Sequence, residues 1–256
     1  MVDASPWPLW RAGRRFCLVS GILCWFSGGG VTLILLSIRL LLLVRGRWWV
    51  DVSREGCHQG LHTRVAQIGL RWGIVLFIVS ECFFFLSFFW AFFHRSLSPS
   101  WVLGGVWPPL GLKSFSPVEI PLLNTLILLR SGVSVTWAHH ALLAGDLSKT
   151  LEGLGATILL GAYFTFFQGV EYYEASFRFA DSVYGSTFFI ATGFHGLHVL
   201  VGTLFLVVSA ARVYSGKISP QHHFGFEAAA WYWHFVDVVW LILYCSIYCW
   251  SSSLGY

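Results

Sequence analysis

Residues Trp72 to His94 read WGIVLFIVSECFFFLSFFWAFFH, and this stretch decides the fold. Arg71 and Arg95 bracket it, ten of its twenty-three residues are aromatic, and Glu81 is its one carboxylate. As a helix rising about 1.5 Å per residue it is roughly 35 Å long, enough to cross about 30 Å of hydrocarbon with some tilt. Glu81 is tenth in the run and falls near mid-membrane. An ionised carboxylate there costs at least about 3 kcal/mol, so a neutral group buried against protein is expected. Two roles stay open for it. An ionisable residue inside a membrane marks proton chemistry, and a buried Glu also serves as hydrogen-bonding glue between helices.

The rest of the chain is of the same kind. Its 256 residues are 56% hydrophobic and 18% aromatic, and only 11% are charged. Soluble domains carry about 25% charged residues, so the composition describes a polytopic membrane protein. Its spans are helical, since lipid leaves no other partner for the backbone. The net charge of +4 does not point to nucleic acid, because the basic residues sit in loops. Six cysteines form no CxxC pair and fall mostly in apolar runs, which suits small buried hydrophobes. Cys245 and Cys249 have a binuclear-copper spacing, but WSSSLGY follows with no His or Met to complete the shell. The start, MVDASPWPLWRAGRRF, has neither a secretory cleavage site nor a Ser-rich transit pattern. The mature chain is expected to begin there, which for a mitochondrial protein means synthesis inside the organelle.

Seven spans are expected. Trp7 to Phe26 and Val31 to Val44 form a hairpin joined at Ser27-Gly28-Gly29-Gly30. A polar interval from Arg45 to Arg64 follows, with Trp48, Trp49, Arg54, Glu55, His58 and His62, and reads as an interface anchor able to hold a lipid head group. The third span is the organising one. After a Pro- and Gly-rich loop come a fourth span (Leu122 to Leu143, polar enough to face protein), a fifth (Leu147 to Tyr173), a sixth (Tyr184 to Tyr214) and a seventh (Phe224 to Trp250). With the N-terminus inside, eleven Lys and Arg lie on the inner side and three on the outer. That bias places the N-terminus in the matrix or cytoplasm.

The chemistry on offer is limited. His195 and His198 are three apart on one helix, while His139-His140 and His222-His223 are adjacent pairs. None has the two-helix spacing of a bis-His haem site. There is no Walker loop, dinucleotide fingerprint, HExxH or GxSxG. What remains is a buried polar network of His195, His198, Glu227, His234 and Asp237, with Glu81, Glu171 and Glu174. Glu227 and His234, seven apart, share a helix face, and Asp237 lies close by. These residues leave a transporter and a non-catalytic subunit of a larger complex both open.

Four stretches then resemble a known family: SECFFFLSFFWAFFH (Ser80 to His94), PLLNTLILLRSGVSVTWAHH (Pro121 to His140), GSTFFIATGFHGLHVLVG (Gly185 to Gly202) and HHFGFEAAAWYWHFVDVVWLILY (His222 to Tyr244). With PWPL and EYYEA, they closely resemble subunit III of cytochrome c oxidase over nearly the whole chain. Seven spans suit the branch that oxidises cytochrome c, since ubiquinol-oxidising relatives typically have five. The resemblance implies an all-α membrane protein in three parts: a two-helix hairpin (1–45), a matrix-side loop (46–63) and a five-helix bundle (64–256), with a lipid-filled cleft splaying hairpin from bundle. It implies no catalytic residue and no metal in this chain, with haem a, haem a3, CuA and CuB in partner subunits. It implies subunit I as main contact, then subunit II, accessory subunits, phospholipids and other respiratory complexes. The location implied is the mitochondrial inner membrane, a bacterial plasma membrane being the lesser alternative. Glu81 matches the family's carbodiimide-reactive carboxyl group. Trp48, Trp49, Arg54, Glu55 and His62, with Arg71, fall where the family contacts lipid heads. Arg130 stands where relatives have a small or apolar residue, and Leu61 replaces a polar one. The competing function is an independent proton- or ion-coupled carrier using Glu81, although no internal repeat of the transporter kind is present.

Overall fold

The computed structural model describes residues 4–101 and 104–253. Among them there are helices and no strand, in the order α1 (Trp7–Phe26), α2 (Thr32–Cys57), α3 (Arg64–Ser96), α4 (Ile120–Leu143), α5 (Leu147–Glu174), α6 (Val183–Tyr214) and α7 (Phe224–Leu243). A π-helical stretch, Tyr244–Trp250, continues α7.

Local chemistry sets the boundaries. Asp146 caps α5 by accepting the Lys149 N–H at 3.1 Å, one of the orphan donors every helix start must satisfy. Just before it Gly145 takes a φ of 79°, which a side chain would resist. Ser182 caps α6 through the Gly185 N–H, and Pro121 stands in the first turn of α4, where a missing N–H costs nothing.

Three expected features shift. The third span, expected from Trp72, begins as a helix at Arg64. The apolar run of the second span ends at Val44, yet α2 continues to Cys57, so residues 46–57 are helical rather than loop. Hydropathy marks where lipid ends, not where the helix ends, and nothing before Gly60 (φ 65°) stops propagation firmly. The seventh helix changes to π geometry at Tyr244, for which YCSIYCW carries no sequence signal.

Among the described residues, five helices, α3 to α6 and α7 with its π-helical continuation, are long and apolar enough to cross a membrane. The first two are long but interrupted by charge: α1 begins with Arg11, Arg14 and Arg15, and α2 carries Arg39, Arg45, Arg47, Asp51, Arg54 and Glu55.

The chain divides into two compact units, Met1–Leu70 and Arg71–Tyr256. In the first, α1 and α2 pack closely at Gly21, where a β-carbon would stand 3.1 Å from the Ile34 nitrogen. Trp7 Nε1 donates to Asp51 Oδ2 at 2.7 Å. In the second, the core is aromatic, with Phe85, Phe92, Phe164, Phe188, Phe226, Trp233 and Trp240 fully buried. None of the six cysteines is in a disulfide, and their expected burial is a correction: four are exposed and two are partly buried. An apolar run in a membrane helix has an outward face as well as an inward one, and the cysteines fall on the former.

Candidate functional site

Helix α4 positions α7 through hydroxyl groups aimed at indoles. Trp233 Nε1 donates to Ser131 Oγ at 2.9 Å, and Trp240 Nε1 donates to Thr125 Oγ1 at 3.0 Å. The Trp233 ring lies against two glycines, since a β-carbon on Gly161 or Gly202 would come within 2.7 or 2.9 Å of it. On its other side α4 meets α5, with Ser134 bonded to Thr157 at 2.7 Å. Thr125, Ser131 and Ser134 of the polar fourth span are therefore spent on protein, as small and hydroxyl residues are between membrane helices, whereas Arg130 is exposed.

This frame divides the two histidines of α6. His195 is wholly buried between Phe164 and Trp240, ring centroids 5.4 and 5.2 Å away. Its Nε2 donates to the Val236 carbonyl at 3.1 Å, which ties α6 to α7. His198, most of a turn on, faces α3. Its Nε2 lies 2.9 Å from Glu81 Oε2 and its Nδ1 lies 2.7 Å from the Phe194 carbonyl oxygen. Phe85, Tyr232 and Phe235 surround the imidazole at 5.0 to 6.4 Å. The pair is mostly enclosed, the Glu81 side chain being 21% exposed and that of His198 11%.

A carbonyl oxygen only accepts, so Nδ1 of His198 carries a hydrogen. Two arrangements remain for Nε2: it accepts from a neutral Glu81 carboxyl, or, as imidazolium, it donates to the carboxylate. Either way one proton sits between the two residues and their summed charge is zero. A neutral pair avoids the cost that a lone charge would incur in hydrocarbon.

The remaining residues of the expected network do not join it. Glu227 Oε2 accepts from Arg71 at 3.1 Å, joining α7 to the early part of α3. Arg71, grouped in sequence with the lipid contacts, is thus engaged by a carboxylate. His234 lies 3.7 Å from Asp237 Oδ2 and 3.2 Å from Thr136 Oγ1. The five residues fall into four separate clusters rather than one network. Sequence reading gave no partner to the wholly buried Glu171, whose Oε2 receives Gln168 Nε2 at 2.9 Å and the Tyr248 hydroxyl at 3.1 Å. The π-helical stretch carries Tyr248 into that position. No spacing rule could have paired residues so far apart in the chain.

In the first unit, Arg11 lies over Trp48 at 5.6 Å and Arg45 over Trp49 at 4.8 Å, cation–π contacts of the membrane-interface kind. Arg54 is exposed and Glu55 partly buried. The loop folds back on α2, with His62 against Gly56.

Among the described residues, no group of three or more His, Cys, Asp or Glu is placed to hold a metal ion. Of the two histidines on α6, His198 has both ring nitrogens engaged, and His195 donates through Nε2 to a backbone carbonyl.

Fold and site together define a polytopic helical membrane protein in which Glu81, Glu171 and Glu227 are bonded across helices. A family model described as cytochrome c oxidase subunit III matches residues 1–252. Proteins named cytochrome c oxidase subunit 3 are similar over 252 residues, 98% of this chain. The one from Osphranter robustus is 58% identical over 97% of its length. Those from Anopheles gambiae and Drosophila melanogaster are each 60% identical over 96% of theirs. The chain belongs to the cytochrome c oxidase subunit III family.

Proposed function

We propose that the chain is a non-redox core subunit of cytochrome c oxidase (respiratory complex IV) in the mitochondrial inner membrane. In this role it supports electron transfer from cytochrome c to oxygen, with proton pumping, by stabilising subunit I, its proton uptake and its bound lipids. One observation carries the reading: the family match runs from residue 1 to residue 252, with relatives of the same subunit name at 58 to 60% identity. Haem a, haem a3, CuA and CuB then belong to partner subunits, where they supply the redox chemistry.

The chain's own contribution is packing, a proton held between Glu81 and His198, and lipid. The helix lengths support a full set of seven spans, since α1 with 20 residues and α2 with 26 are about 30 and 39 Å long. We assign these two helices to a hairpin, splayed from the five-helix bundle by a lipid-filled cleft, with the N-terminus in the matrix. Trp48, Trp49, Arg54, Glu55 and His62 serve the phospholipid heads, a role supported by the arginine–indole pairs near the end of α2.

The test is extraction in mild detergent followed by sizing and an absorption spectrum. The chain is expected to migrate with the haem a bands. Recovery of a folded, colourless chain on its own would refute the subunit role and favour the carrier.

A further inference from the structure

We infer that the outward face of α4 is an interface with a transmembrane helix of a neighbouring subunit, and that this helix presents a carboxylate to Arg130 near mid-membrane. The inference rests on the membrane-subunit reading above and deepens it by naming one of its interfaces.

Helix α4 uses its other sides within the chain, Ser134 and Ala138 toward α5 and Thr125, Ser131 and Thr136 toward α7. The remaining face carries Leu126, Arg130, Val133 and Trp137, spaced three or four apart and all exposed, Val133 to 71%. Such a face would suit lipid were it wholly apolar. Arg130 makes it otherwise.

Among the described residues no carboxylate, carbonyl oxygen or ring pairs with Arg130, and a guanidinium cannot shed its charge in a protein. Lipid phosphate is out of reach. Arg130 is ten residues from Ile120 and thirteen from Leu143, or about 15 and 20 Å along the axis. An extended arginine side chain spans roughly 7 Å from its Cα, whereas the hydrocarbon half-thickness is about 15 Å. Snorkelling therefore stops short of the head groups. A second copy of this chain docked by the same face is also unsuitable, because a two-fold axis would set Arg130 against Arg130. The occupant that meets both the apolar shape and the unanswered charge is a membrane helix with an Asp or Glu at the same depth.

The test uses the intact complex carrying Arg130→Lys, treated in the membrane with dicyclohexylcarbodiimide. The reagent activates the partner carboxyl as an acylisourea. Attack by the introduced amine then forms an amide and releases dicyclohexylurea, joining the two chains. The expected result is a cross-linked peptide linking position 130 to a carboxylate within an apolar segment of another subunit, absent from the unsubstituted complex. In a second arm, Arg130→Leu should raise loss of this chain from the complex during detergent washing by about tenfold. Cross-linking only to a lipid or to a second copy, or no cross-link together with wild-type retention of Arg130→Leu, would overturn the inference. Co-migration with haem a, read on the same samples, separates that failure from failure of the subunit role.

Discussion

Replacing both members of the Glu81–His198 pair should cost much less than the two single replacements added together. Helix α3 is the reason the effect is measurable. Its buried residues are Phe85, Phe89, Phe92 and Ser96, all in its second half. Between Arg71 and Phe84 it is held by the Arg71–Glu227 pair, the Phe77–Tyr232 stack at 6.1 Å, and the Glu81–His198 bond. A hydrogen bond to a charged group contributes about 1.5–3 kcal/mol, and an orphaned buried polar partner costs about 1–3 kcal/mol. Screening subtracts little, because both side chains are far less than a third exposed.

Glu81→Leu strands the second imidazole nitrogen, and His198→Phe strands the carboxyl group. The double variant strands neither. We therefore expect a coupling of about 2 kcal/mol, or roughly thirtyfold in an equilibrium constant. The assay is titration of the detergent-extracted protein into a denaturing detergent, followed by tryptophan fluorescence. Thiol labelling of Cys82, beside Glu81, reports α3 alone. Arg71→Leu serves as the internal comparison. Its pair is half open on the arginine side (48% exposed) and is worth about 0–1 kcal/mol. Additivity of Glu81→Leu and His198→Phe within about 0.5 kcal/mol would refute the reasoning.

Other consequences test separate parts of the frame. Gly202→Ala should destabilise by about 1–3 kcal/mol through overpacking against Trp233, while Gly155→Ala, with open space around it, should be neutral or stabilising by up to about 1 kcal/mol. Equal effects in the same titration would count against the glycine–indole packing. Glu171→Ala leaves Tyr248 and Gln168 without their acceptor and should cost at least about 2 kcal/mol, with amide exchange accelerated across Tyr244–Trp250 before other helices; unchanged exchange there would detach that stretch from Glu171. Asp146 is held below its ordinary pKa of 3.8 chiefly by the hydrogen bond from the Lys149 side chain. Its stabilising effect on the start of α5 is therefore full above that value and lost as pH falls through the lower one, and a carboxyl titration midpoint above 3.8 by NMR would contradict the cap.

Helix placement was legible because lipid demands long apolar runs and loops collect the breakers. Trp7–Phe26 and Leu147–Glu174 lie where composition put them, give or take a residue. Part of the polar side of α4 was legible too, since Thr125, Ser131 and Ser134 meet protein, although Arg130 on the same helix faces outward. Partner identity was not. Helical spacing says that Glu227 and His234 share a face, but not that one meets Arg71 on α3 while the other turns to Thr136 on α4. The change to π geometry after Leu243, which aims Tyr248 at Glu171, leaves no trace in residue type.

His195 and His198 show where the division falls. They are the same residue type, three apart on one helix, and about 300° of rotation separates them. His195 points into a seam between Phe164 and Trp240 and finds a backbone carbonyl there. That bond is available whatever the other chain segments carry. His198 points at α3 and depends on a single side chain, Glu81, for its second nitrogen. Between membrane helices no hydrophobic force pulls α3 inward, because lipid tails are as apolar as its phenylalanines. Close aromatic packing holds its second half, the Glu81–His198 bond its middle, and the Arg71–Glu227 pair with the Phe77–Tyr232 stack its earlier part. A carboxyl group at mid-membrane is therefore tolerated because it fastens the helix that carries it, and the proton in that bond makes the fastening electrically neutral.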